Sequence, residues 1–90
     1  MDLQSRIEES PPYQVIESPE FADQFALLVT DARIRDLLQW EFFNVLPTDP
    51  EKFPQVPNSK LRAVTIGMPG LTLFFTIENR VITLLEIHPL

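Results

Sequence analysis

Leu71-Thr72-Leu73-Phe74-Phe75-Thr76-Ile77-Glu78-Asn79-Arg80-Val81-Ile82-Thr83-Leu84-Leu85-Glu86-Ile87 is the stretch that decides the fold. Two runs dense in β-branched, aromatic and aliphatic residues flank Glu78-Asn79-Arg80, which is turn chemistry, so the spacing predicts a hairpin over 71–87. Upstream, Lys60 to Ile66 has the same strand character, and Gly67-Met68-Pro69-Gly70 separates it from Leu71. Two hairpins in succession make an antiparallel meander.

Before the meander, Leu46 to Ser59 holds Pro47, Pro50, Pro54 and Pro57. Proline removes a backbone donor and disfavours helix in the residue before it, so a loop of about a dozen residues is predicted here. Two helices are expected ahead of the loop. Ser18-Pro19-Glu20 is a start signal, with a capping hydroxyl, proline at the first helical position and an acid near the positive helix end. Phe21, Phe25, Leu28 and Val29 follow on one helical face. Thr30-Asp31 offers a second cap, and Ile34, Leu37, Leu38, Phe42 and Val45 form the second apolar stripe. So short a joint predicts a helical hairpin. Tyr13-Gln14-Val15-Ile16 reads as a first strand, and residues 1–12, closed by Pro11-Pro12, as an N-terminal tail. The fold class expected is therefore α+β, in the order β-α-α-β-β-β, with a single domain over 13–90 and the helical hairpin covering one face of an antiparallel sheet.

Composition narrows the function. A chain of 90 residues with 44% hydrophobic content suits one small globular domain. It contains no cysteine, which excludes disulfides and thiolate metal sites and suits a cytoplasmic location. The first ten residues include Asp2, Arg6, Glu8 and Glu9, so no secretory signal is expected there, and no window is long and apolar enough for a membrane span. With one histidine and no metal-ligand spacing among the acids, no metal and no cofactor are expected; the two glycines, Gly67 and Gly70, share one turn and make no phosphate loop. The formal charge is −6. Phosphate neutralisation supplies most non-specific nucleic-acid affinity, so an acidic chain points first to a protein partner.

The segment Lys60-Leu61-Arg62 together with Pro69 to His88 resembles the C-terminal meander of the RelE/ParE toxin superfamily. There, an L-R strand leads to an aromatic-rich strand, an acidic turn and a V-V-T-V-L strand ending near a histidine. Tyr13 to Ser18 and the S-P-x-F helix start are similar to the family's opening, so the resemblance covers roughly 13–88. It implies the fold already read from the pattern and a place in a toxin–antitoxin system, with an antitoxin as protein partner. RelE-like members cut mRNA on the ribosome, while ParE-like members act on DNA gyrase through protein contact. This chain departs from the nuclease pattern: Leu71-Thr72 stands where an arginine commonly opens the aromatic strand, and His88-Pro89-Leu90 ends the chain.

Candidate site residues follow. His88, with an unperturbed pKa near neutrality, is a candidate acid or base; the alternative is a surface residue near the C-terminus. Arg62 is the other catalytic candidate. Lys60 and Arg62, two apart on the predicted strand, share a face and could bind an anion, or simply solubilise the strand. Phe74, Ile82 and Leu84 are expected on the sheet face the helices leave uncovered, as a binding surface for an antitoxin or a second copy; the alternative is that the N-terminal tail or the proline-rich loop folds over that face. Trp40 and Phe43 lie off the main stripe of the second helix, either as interface anchors or as a widening of the core. Three functions remain: a toxin-like component acting through protein binding and lacking mRNA-cleaving residues, a ribosome-dependent mRNA endonuclease, and a non-toxic homodimeric module. Nucleic acid is expected as a partner only through the ribosome.

Overall fold

The computed structural model describes residues 13–90; the tail expected over 1–12 lies outside the described residues. Strand β1 (Gln14–Glu17) is followed by helices α1 (Pro19–Leu28) and α2 (Ala32–Asn44), then strands β2 (Arg62–Ile66), β3 (Leu71–Glu78) and β4 (Val81–Pro89). The four strands form one sheet in the order β1-β4-β3-β2. The two C-terminal hairpins pair antiparallel as the sequence predicts, whereas β1 joins parallel to β4. The sheet is thus mixed rather than wholly antiparallel. The chain reaches the far edge through both helices and the loop, and the returning β4 settles between β3 and β1.

Both helix starts are set by side chains. The Ser18 hydroxyl accepts from the Phe21 amide at 3.0 Å and donates to the Leu85 carbonyl at 3.2 Å, fastening α1 to β4 as well as capping it. Asp31 Oδ1 accepts from the amides of Arg33 and Ile34. The helices fold back as a hairpin, and the rings of Phe21 and Phe25 lie 5.9 and 5.7 Å from that of Phe42. These three rings, with Val29 and Leu38, cover Leu71, Leu73, Phe75, Ile82, Leu84 and Ile87 on the inner sheet face. The α2 stripe is narrower than expected. Only Leu38 and Phe42 are buried in α2 itself, and the helix ends at Asn44 with Val45 as its C-cap.

The proline-rich segment is more ordered than a plain loop. Short 3-10 turns occupy Leu46–Thr48 and Pro50–Lys52, with Pro47 and Pro50 buried. Phe53 meets Phe75 edge-on at 6.2 Å, so the segment closes the inner side of the sheet and does not fold over the outer one. It also pairs with the start of β2, where Gln55 bridges to Arg62 and the Ala63 amide donates to the Pro54 carbonyl at 3.1 Å.

A β-bulge in β4 determines which residues face outward. Phe75 pairs with Leu84 and Phe74 with Glu86, leaving Leu85 as an extra residue. Before the bulge, even positions Ile82 and Leu84 face the helices; after it, the odd position Ile87 does. The Ile87 amide, beyond the end of β1, is satisfied by the Gln24 side chain of α1 at 3.1 Å.

Candidate functional site

The bulge overturns one part of the expected binding surface. Ile82 and Leu84 are fully buried in the core, so they are not on the outer face with Phe74. Alternation read without the extra residue groups Val81, Leu85 and Ile87 together, and so assigns Ile82 and Leu84 to the wrong side. By register, the outer face presents Ala63, Thr65, Thr72, Phe74, Thr76, Val81, Thr83, Glu86 and His88, with Gln14 and Ile16 of β1 beside them; Phe74 is half-buried and Ile16 is 44% exposed. It is a threonine-rich surface with one aromatic ring. Its apolar members are Phe74 towards one end and Ile16 and Val81 towards the β1 edge.

The basic residues fall at two ends of the sheet, Lys60, Arg62 and Arg80 towards one and His88 at the other. Strand β2 begins at Arg62, so Lys60 lies outside it and the two do not form a same-face pair. Lys60 Nζ reaches Glu78 Oε2 at 3.3 Å in an exposed ion pair. Arg62 pairs with the inward residue Phe75, and its Nη1 donates to the carbonyls of Phe53 (2.7 Å) and Glu51 (3.1 Å). Its guanidinium therefore holds the proline-rich segment against the sheet, with the Tyr13 hydroxyl donating to Glu51 Oε2 at 2.8 Å beside it. That bond favours the neutral phenol and, with partial burial and the nearby Glu51 charge, raises the Tyr13 pKa above its ordinary value of 10.0.

At the other end of the sheet, His88 pairs across from Thr72 on the outer face. Its Nε2 lies 2.8 Å from Glu86 Oε1, and its ring meets that of Phe74 at 6.0 Å. Arg80, in the turn between β3 and β4, is removed from His88 by the length of β4, roughly 25 Å at the usual strand rise. Lys60, Arg62, Arg80 and His88 therefore do not share one pocket. What the outer face does offer is a histidine–carboxylate pair beside an aromatic ring, open to solvent.

Two apolar surfaces lie away from the outer sheet face. One is a groove of about 150 Å³ between the end of α2 and the β2 edge, lined by Phe42, Val45, Leu46, Phe53, Val64 and Leu73 with Glu41 at its rim. The other is the outward face of α2, where Leu37 and Trp40 are each 58% exposed. Trp40 lies opposite Leu38 and Phe42 on a wheel of 3.6 residues per turn, so the structure leaves Trp40 and Phe43 outside the core, and Leu37, expected in the buried stripe, joins them there. Among the described residues no group of three or more His, Cys, Asp or Glu side chains is placed to hold a metal ion, and no helix is long and apolar enough to cross a membrane.

This arrangement of strands and helices is shared with solved structures. A chain from the RelBE2 toxin–antitoxin complex of Mycobacterium tuberculosis superposes with a TM-score of 0.75 at 15% identity, covering 88% of this chain and 99% of that one. The fold is RelE/ParE-like. A chain of the intact E. coli RelBE toxin–antitoxin complex gives a TM-score of 0.67 at 12% identity, over 87% of this chain and 96% of that one. A chain from the chromosomal ParDE system of P. aeruginosa gives 0.64 at 13% identity, over 90% and 99%. No protein-family model and no curated protein sequence matches the chain. The RelE/ParE-like fold is thus carried by the three-dimensional match, across nearly the whole length of each structure.

Proposed function

We propose that this chain is a toxin-like component of a toxin–antitoxin system that acts through protein binding, and that an antitoxin covers part of its surface. The observation that carries the reading is the end-to-end superposition on chains from RelBE and ParDE toxin–antitoxin complexes. The charge of −6 and the separation of His88 from Lys60, Arg62 and Arg80 favour a protein target over direct grip on RNA. For the antitoxin, the groove beside β2 is the better surface than the outer sheet face. It is apolar, open, and flanked by a strand edge that the proline-rich segment pairs with only at its start. The test is to express the chain alone and together with the product of the adjacent open reading frame. Growth arrest relieved by co-expression, with the two proteins purifying together, is the expected result; harmless expression with no co-purifying product overturns the reading.

A second reading has its own observation. The His88–Glu86 pair beside Phe74 places an acid–base group next to a ring on which a base can stack, as a ribosome-dependent mRNA endonuclease would need. His88→Ala tests it more cleanly than Arg62→Ala, because Arg62 also holds the proline-rich segment in place. Transcript cleavage that disappears in His88→Ala supports the nuclease; intact transcripts in arrested cells leave protein binding in possession.

A further inference from the structure

The outward face of α2 carries a pattern that its own fold does not use. Arg33, Leu37, Trp40 and Asn44 are spaced four, three and four residues apart, the spacing of a helix–helix seam. They fall on the side of α2 opposite Leu38 and Phe42, the two residues it buries in the core. Leu37 and Trp40 are 58% exposed, and Ile34 and Phe43 flank them at 37% and 41%. A tryptophan and a leucine left in water at the centre of a helix face cost burial that a partner surface would recover.

We infer that α2 pairs antiparallel with α2 of a second copy of this chain, about a two-fold axis passing between Leu38 and Gln39. The sequence is self-complementary under that operation. Leu37 of one copy meets Trp40 of the other, Arg33 meets Asn44, and every contact occurs twice, as a two-fold interface requires.

Charge selects the same arrangement. α2 carries Arg33 in its first turn and no base in its last, which is the unfavourable way round for its own helix dipole. In the antiparallel pair each Arg33 lies beside the negative end of the other helix. It also stands within about one helical turn, some 5 Å of rise, of Glu41 of the other copy. Neither Arg33 nor Glu41 forms an ion pair with another described residue. Asp36 of one copy is level with Glu41 of the other but on the opposite flank, so those carboxylates do not meet, and the two copies of Glu41, which share a flank, each have an Arg33 within reach.

The size of the contact sets its strength. α2 is 13 residues long, roughly 20 Å, and the paired faces close on the order of 800 Å² in total. That is the low end for a specific interface, so the dimer is a weak one whose population responds to concentration.

Trp40 is the only tryptophan, so it reports on this contact alone. With the purified full chain and no partner present, sedimentation equilibrium and tryptophan emission are followed against concentration. The mass should rise from one copy towards two as the emission moves to shorter wavelength, both with the same midpoint. Leu37→Glu should remain monomeric with unshifted emission. Arg33→Glu should weaken association at least tenfold, and the double variant R33E/E41R should return it to near the wild-type value, a rescue that misfolding cannot imitate. A chain that stays monomeric throughout, a dimer whose Trp40 emission does not change, or a charge reversal without rescue overturns the inference. None of these outcomes bears on antitoxin capture, which is read with a different protein present.

Discussion

At the scale of single residues, the structure is tied together by polar groups that each serve two elements. Ser18 caps α1 and holds the carbonyl of Leu85 at the bulge, so Ser18→Ala removes two bonds at once and should cost about 1–2 kcal/mol in urea unfolding, with Ser18→Thr recovering most of it. Tyr13 and Arg62 do the equivalent for the proline-rich segment, through the Glu51 side chain in one case and the Glu51 and Phe53 carbonyls in the other. The Tyr13 contact makes a prediction about pH. Its phenol pKa is raised in the folded chain, first by the hydrogen bond to Glu51, so the folded state holds that proton more tightly than the unfolded one. The associated stability is complete below the ordinary phenol value of 10.0 and is lost as pH rises through the higher folded value. Because Tyr13 is the only tyrosine, its ionisation can be followed by absorbance without interference. The midpoint should lie above that of a free phenol and fall towards it in Glu51→Gln; equal midpoints in the two proteins would show that the contact is not made in solution.

At the scale of elements, the bulge at Leu85 is the feature with the widest consequences, because one extra residue exchanges the two faces of β4. Ile82→Ala should therefore behave as a core truncation, losing about 2–4 kcal/mol, whereas Phe74→Asp, on the half-exposed outer face, should leave a folded protein. Reversed sensitivities in thermal unfolding would place the helices on the other side of the sheet. The same feature explains what the sequence could and could not reveal. Helix caps at Ser18 and Asp31, the apolar run over 71–77 and the turns at 67–70 and 79–80 are local signals, and each was legible. The bulge is not local: β4 is apolar on both parities, so nothing within it marks where alternation breaks. Its position follows from α1, whose Ser18 and Gln24 bond to Leu85 and Ile87. The parallel pairing of β1 is likewise decided by β4 returning beside it, not by anything in residues 14–17. Strand alternation makes Arg62 a site candidate because it gives a face but not what covers that face. The carbonyls that receive its guanidinium come from a segment 9–11 residues earlier, whose prolines suggested only a loop.

At the scale of the whole molecule, the balance of thirteen acids against seven bases governs how it meets anything else. A net negative charge slows encounter with ribosomal RNA and speeds encounter with a basic protein segment, since long-range charge acts mainly on association rate. The groove between α2 and β2 has an apolar floor with Glu41 at its rim, so a segment entering it would place apolar side chains inside and find a carboxylate at the mouth. The proposed antitoxin should then carry lysine or arginine beside its apolar anchors. Its association rate should fall about tenfold or more between low and high ionic strength, as the Debye length shortens from about 10 Å to about 3 Å. The dissociation rate, set by burial in the groove, should change far less. Val64→Glu places a second carboxylate in the lining and should raise the dissociation rate while leaving the salt dependence of association nearly intact. Stopped-flow binding of the purified pair separates these effects. A rate of association indifferent to salt would mean that the charge of −6 plays no part in recognition and gives no preference for a protein partner.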